Sequence, residues 1–150
     1  MKALAKFIAT GFGIGYVPLA PGTAGSLLGV GYWLLLSGWF YWPVTILVVL
    51  LAVWLSGIAS EIHREADPSC VVIDEICAVP IALAGIGHVW WHVALGFVWF
   101  RVFDVWKPPP VRQAQAFAGG VGIVLDDVLA AGYACGTTHV VLWLIQHAGH

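Results

Sequence analysis

From Leu27 to Ser60 the chain has no Asp, Glu, Lys or Arg. A helix exposed to water keeps charge on its outer face, so so long an uncharged stretch is built to be covered by protein or lipid. A second uncharged run extends from Ile76 to Phe100, and a last apolar segment runs from Gly119-Gly120 to about Gln146. Only 9% of the 150 residues are charged and 61% are hydrophobic, whereas a soluble domain averages about 25% charged. Together with a mean hydropathy of +0.92, this selects the membrane class. The length suits one compact domain over residues 1–150. A net charge of −2 and a pI near 6.3 offer phosphate polymers no basic patch, so nucleic acid is not an expected partner.

The first run reads as a helical hairpin, broken at Trp39-Phe40-Tyr41-Trp42-Pro43 by a proline within an interfacial aromatic cluster. Its arms lie near the short end of the ~17–25 residues that span a bilayer. Glu61 to Pro68 returns to water. The second run breaks at Gly85-Ile86-Gly87-His88, beside Trp90-Trp91, and the basic stretch Arg101 to Arg112 ends its helix at Pro108-Pro109-Pro110. Basic residues at the N-terminus, at Arg64 and at Arg101 to Arg112 all belong on the cytoplasmic face. That requires an even number of crossings between Glu75 and Arg101, where the chain is too short for two full spans. A re-entrant hairpin turning at Gly85 to Trp91 satisfies the rule, and so does a bundle that only dips into the bilayer. Lys2 and Lys6 precede apolar sequence as in a signal peptide, but Gly11, Gly13 and Gly15 interrupt it, and no cleavage is expected. Cys70, Cys77 and Cys135 are odd in number without CxxC spacing, and are expected as small buried hydrophobes.

The few charges are concentrated. Val71-Val72-Ile73-Asp74-Glu75-Ile76 and Ile123-Val124-Leu125-Asp126-Asp127-Val128 each set adjacent acids among aliphatic residues. Such pairs are costly unless a cation or strong hydrogen bonds neutralise them. Two half-sites of this kind, facing each other across a bundle, would form a cage of hard oxygen ligands suited to Mg²⁺ or Mn²⁺. A helix beginning after Pro68 would set Asp67 near its N-cap and Asp74 about two turns on, along the same face. Arg101, Asp104 and Lys107 recur at i, i+3 and i+6, roughly one helical face, which suits either water or a phosphate.

The segment Thr10 to Ser26 is rich in Gly and Pro, and Thr23 or Ser26 could cap the helix that begins nearby. It lacks both the Walker A and the dinucleotide pattern, leaving a phosphate cradle of backbone N–H groups or a plain membrane-entry loop. His63, His88, His92, His139, His147 and His150 form no acid-paired ligand motif, and His88 and His92 are expected at an interface. No nucleophile elbow or aspartyl-phosphate motif is present, so a covalent mechanism lacks a nucleophile.

Taken in order, Ala20-Pro21-Gly22-Thr23-x-Gly25-Ser26, Asp67 with Asp74-Glu75, Phe103-Asp104-x-x-Lys107-Pro108 and Gly119-Gly120-x-Gly122-Ile123-x-x-Asp126-Asp127 resemble the phosphatidylglycerophosphatase A family over about residues 8 to 132. Ala78 and Val124 depart from the glycine and methionine frequent there; neither is a candidate ligand. The resemblance implies a compact, mainly helical, Mg²⁺-dependent phosphatase of the bacterial inner membrane, which converts phosphatidylglycerophosphate to phosphatidylglycerol.

The expectation is therefore an all-α membrane bundle of apolar helical hairpins around a carboxylate-lined polar site. Asp74, Glu75, Asp126 and Asp127 would hold Mg²⁺, and Gly22, Thr23, Gly25 and Ser26 would bind phosphate. Asp67 or Asp104 would serve as base or in support, and Arg101 and Lys107 would offset phosphoryl charge. The partners are a phospholipid and the membrane, with no obligatory protein partner and an active site on the cytoplasmic face. A membrane cation transporter or channel is the alternative, since intramembrane carboxylates often line ion paths. A purely structural subunit would leave the clustered acids unexplained.

Overall fold

The computed structural model describes residues 2–148, and every regular element among them is helical. The elements are α1 (Lys2–Ala9), α2 (Pro21–Leu35), α3 (Tyr41–His63), α4 (Ile73–Ala82), α5 (Trp90–Trp106), α6 (Val111–Ala114) and α7 (Gly120–Ala148), with short 3₁₀ turns before α2 and α3. The shortest long-range organiser is α4. It packs against α2, α3, α5 and α7, with α1 laid on α3 and α6 on α7. Eight of its residues are buried, from Ile73 to Ala82, Asp74 among them.

The hairpin expected from Leu27 to Ser60 forms as two helices, but α2 packs chiefly on α4 instead of on α3. The cause is a glycine stripe. A Cβ on Gly25 would lie 2.7 Å from Val72 Cβ, and one on Gly29 would lie 2.8 Å from Val79 Cβ. Only glycine lets the two backbones come this close. Pro43 does not break a helix; it occupies the first turn of α3, where its missing N–H leaves no hydrogen bond unmade. Tyr41 then ties the start of α3 to α4 by donating to the Pro80 carbonyl at 2.5 Å. The break at Gly85 to Val89 and the end of α5 before Pro108 fall where the sequence places them.

Among the described residues, two helical segments are long and apolar enough to cross a membrane, Gly38–His63 and Gly120–Ala148. Only 28% and 22% of their most apolar windows are buried in the protein, so they are not core helices of a water-soluble fold. Leu47, Leu50, Leu51 and Trp54 on α3, with Trp143, Leu144 and Ile145 on α7, are exposed. Surface of this kind fits lipid better than water. By contrast α4, at about 15 Å, is too short to cross ~30 Å of hydrocarbon.

The α3–α7 crossing depends on Gly120, whose added Cβ would collide with the Val53 carbonyl and the Gly57 amide. Backbone cannot yield as a side chain can. Gly120→Ala is therefore expected to lower unfolding stability in detergent by about 1–3 kcal/mol; parental stability would show that the crossing is looser than described.

Candidate active site

Asp74 and Glu75 lie in the first turn of α4, not two turns inside a helix begun after Pro68. The intervening residues are occupied otherwise: the Val71 amide donates to the Pro68 carbonyl, and the Val72 amide to the Ala9 carbonyl. The helix can start only at Ile73. Its free N-terminal amides favour carboxylates there, and the Glu75 amide donates to Asp74 Oδ1 at 3.0 Å. Cys77 Sγ donates to the Asp74 carbonyl at 3.1 Å.

From the second turn of α7, Asp127 reaches the same point. Asp74, Glu75 and Asp127 each offer an oxygen, all within 4.8 Å of one another. Asp74 is 6% and Asp127 4% exposed, and Glu75 Oε2 and Asp127 Oδ2 are buried without a hydrogen-bond partner. Burial, with the charges of Glu75 and Asp127, holds the Asp74 carboxyl well above the usual carboxylate range. Burial raises Glu75 as well, against the opposing effects of Asp74's hydrogen bond and Arg101. Three convergent carboxylates with orphaned oxygens are expensive in a protein interior. A hard divalent cation removes that cost, and the all-oxygen donor set fits Mg²⁺ or Mn²⁺.

Two cations border this cluster. Arg101 Nη1 lies 2.8 Å from Asp104 Oδ2, 4.0 Å from Glu75 Oε1 and 3.4 Å from Ser26 Oγ. Lys107 ends α5 with a left-handed backbone (φ 49°), and its Nζ lies 2.6 Å from Asp126 Oδ2. Burial disfavours the Lys107 ammonium, but the Asp126 hydrogen bond and the charges of Asp126, Asp104 and Asp127 prevail, and its pKa is raised. Asp126 stands outside the three-oxygen cluster and faces Lys107, while its Oδ1 is unpartnered.

The glycine-rich segment behaves differently from the expectation. Ala20, with φ 50°, precedes α2; Pro21 opens the helix, and no side chain caps it. Neither Thr23 nor Ser26 serves as cap: the Ser26 hydroxyl donates to the Gly22 carbonyl at 2.8 Å, within the helix. Of Gly22, Thr23, Gly25 and Ser26, Gly22 lines the acidic pocket, together with Ala20 and Pro21. Gly25 serves the contact with Val72. A Cβ on Gly22 would collide with the Glu75 carboxylate, the movable end of a side chain. Gly22→Ala is thus expected to displace Glu75 and lower turnover about tenfold with little change in thermal stability. An unaltered rate would separate Glu75 from the chemistry.

The pocket encloses about 270 Å³ and is lined by Asp74, Glu75, Asp104, Asp126 and Asp127, by Arg101 and Lys107, and by Asp67, Pro68 and Ser69. Asp67 is exposed and also lines an adjoining recess of about 260 Å³ formed by Ala66, Gln115–Gly119, Gly122 and Ile123. The sequence alone did not single out Ser69, whose only signal is its place beside Asp67-Pro68. Histidines are elsewhere. His88 stacks on Trp33, His92 lies edge-on to Trp91, and His139 Nε2 is 2.8 Å from the Ala84 carbonyl. His150 lies outside the described residues. Cys77 is buried as expected, whereas Cys70 and Cys135 are only partly so, with Cys70 Sγ 3.6 Å from His63 Nε2.

The known proteins that this chain resembles are named as phosphatases. The family model described as phosphatidylglycerophosphatase A matches residues 7–142. An Escherichia coli phosphatidylglycerophosphatase A is 36% identical over 93% of this chain and 82% of its own length. The Haemophilus influenzae protein of the same name is 37% identical over 93% and 87%. A Bacteroides thetaiotaomicron protein, provisionally named a phosphatidylinositol-3-phosphatase, is 39% identical over 95% and 96%. No solved structure matches the chain.

Proposed function

Because this chain belongs to the phosphatidylglycerophosphatase A family, and is a phosphatase, we propose that it hydrolyses the terminal phosphomonoester of phosphatidylglycerophosphate, yielding phosphatidylglycerol and inorganic phosphate. One observation carries this reading. Three carboxylates that converge within 4.8 Å are flanked by Arg101 and Lys107, so a cation site and an anion site adjoin in one pocket. A transporter would need the acids, but it has no use for two cations beside them.

Asp74, Glu75 and Asp127 would hold Mg²⁺, with Asp126 beside them. When bound, the ion supplies positive charge against the phosphoryl oxygens. Arg101, already fixed by Asp104, presents its guanidinium to the same oxygens. Lys107 adds a second cation, which Asp126 orients. Free amides at the start of α2, near Gly22, add dipoles of the same sign. Asp67 stands between the pocket and the polar recess, so it is suited to receive a proton from water arriving there. That water's oxygen bonds phosphorus as the bond to the glycerol oxygen breaks, and the leaving alkoxide takes up a proton.

The exposed apolar faces of α3 and α7 support a bacterial inner-membrane location. Basic residues at the N-terminus, at Arg64 and from Arg101 to Arg112 support a site on the cytoplasmic face. With α4 too short to cross, the α4–α5 unit suits a re-entrant hairpin. This reading also supports a role in phospholipid biosynthesis.

The test is phosphate release by purified protein from phosphatidylglycerophosphate, phosphatidylinositol 3-phosphate and phosphatidic acid, with Mg²⁺ or with chelator. Phosphatidylglycerophosphate should be the best substrate, with release abolished by chelator. Preference for another lipid, or release that persists in chelator, contradicts the proposal.

A further inference from the structure

The carboxylate pocket accommodates a phosphoryl group, but a diacylglycerol lipid has far more apolar bulk than 270 Å³ holds, and its tails must leave in a definite direction. Four other recesses bear on that direction. One, of about 540 Å³, lies between the Gly85–Gly87 turn and the distal part of α7, and shares no residue with the site. An apolar groove along α7, centred on Gly132 and Gly136, likewise shares none. The recess behind Asp67 does adjoin the site, but at about 260 Å³ it is the smallest of the four, and the Asp67 carboxylate and Gln115 at its wall suit water better than an acyl chain.

The fourth lies on α5. Phe97, Val98, Val102, Val105 and Trp106 border a shallow apolar groove of about 740 Å³, and Arg101 lines both this groove and the carboxylate pocket. Among the four, it alone joins an apolar lining to a residue of the site. Val98, Val102 and Val105 recur at i, i+4 and i+7, a continuous stripe, and they are 54%, 40% and 75% exposed. The strip from Phe97 to Trp106 runs about 14 Å along the axis. Arg101 sits within it, yet its guanidinium turns inward to Asp104, Glu75 and Ser26. The groove thus has a cation at the place where it meets the acids, the pattern that an anionic lipid with an acyl chain complements.

We infer that the α5 groove from Phe97 to Trp106 seats one acyl chain of the anionic glycerolipid substrate, with Arg101 at the junction of tail and phosphate. The inference rests on the proposed lipid phosphatase activity. It separates this face from the exposed apolar surface of α3 and α7, which bulk lipid covers without selection. It also makes chain length a determinant of rate, set by valines that touch no reacting atom.

The experiment compares dioleoyl phosphatidylglycerophosphate in mixed micelles with its dibutyryl analogue, below micelle-forming concentration. In Val102→Trp the indole obstructs the middle of the groove, and the ratio of kcat/KM for the long to the short substrate should fall about tenfold. An unchanged ratio with hydrolysis intact overturns the groove alone. Failure of the parent protein to hydrolyse either substrate overturns the phosphatase reading, and the groove with it. A second measurement needs no variant. Photocrosslinking with diazirine-tailed phosphatidylglycerophosphate should label Phe97–Trp106, and excess unlabelled substrate should compete where phosphatidylcholine does not. Label spread over α3 and α7 without competition overturns the inference.

Discussion

Asp127→Asn is expected to reduce phosphate release at least about 10³-fold, equivalent to about 4 kcal/mol of transition-state stabilisation. Asp127 is the link between halves of the chain that are remote in sequence. It supplies the oxygen of α7 that joins those of Asp74 and Glu75, and its Oδ2 is buried without a partner. An amide removes the charge at nearly constant volume, so the helix crossing should survive. An ion held by these carboxylates would bind only the native state, so Mg²⁺ should raise the melting temperature of the parent protein; in Asp127→Asn that increase should be lost. A variant that kept both its rate and its Mg²⁺-dependent stabilisation would remove Asp127 from the ion site. Asp126→Asn breaks the Lys107 pair instead. It is expected to abolish turnover through Lys107 and Asp126 Oδ1, while the protein remains folded.

The second large effect is expected at Arg101. Arg101→Ala should lower kcat/KM about 100-fold, and Arg101→Lys should recover little of it. Nη1 meets Asp104, Glu75 and Ser26, and the rest of the planar fork can then face a phosphoryl group in a bidentate way that an ammonium point charge cannot reproduce. Because Arg101 also borders the α5 groove, the loss should show in KM as well as in kcat. Near-normal kinetics for Arg101→Lys would reduce its contribution to charge alone. Lys107→Ala should weaken activity while Mg²⁺ stabilisation persists; loss of both together would contradict a phosphate-facing role.

Which parts were legible follows from the physics of each signal. Uncharged runs interrupted by proline, glycine and tryptophan report helices and their ends, because lipid and helical hydrogen bonding both act locally. Hence the breaks near Pro43, Gly85 and Pro108 were readable. The partner of a helix is not local. That α2 lies on α4 depends on Gly25 and Gly29 meeting Val72 and Val79, and a glycine in an uncharged run does not tell which distant helix its bare face will meet. The start of α4 was misplaced because the Val72 amide is taken by the Ala9 carbonyl, more than sixty residues away in sequence. The acidic doublets were conspicuous against so few charges. Their division of labour was not, since Asp126 and Asp127 are neighbours in sequence and differ only in which side of α7 they occupy. One faces Lys107, the other the acids of α4.

The most direct measurement is an anomalous difference map from crystals grown with Mn²⁺ in place of Mg²⁺. The account predicts a peak between the carboxylates of Asp74, Glu75 and Asp127, absent from Asp127→Asn crystals grown in the same way. A peak at another location, or none among these three side chains in the parent protein, would contradict it.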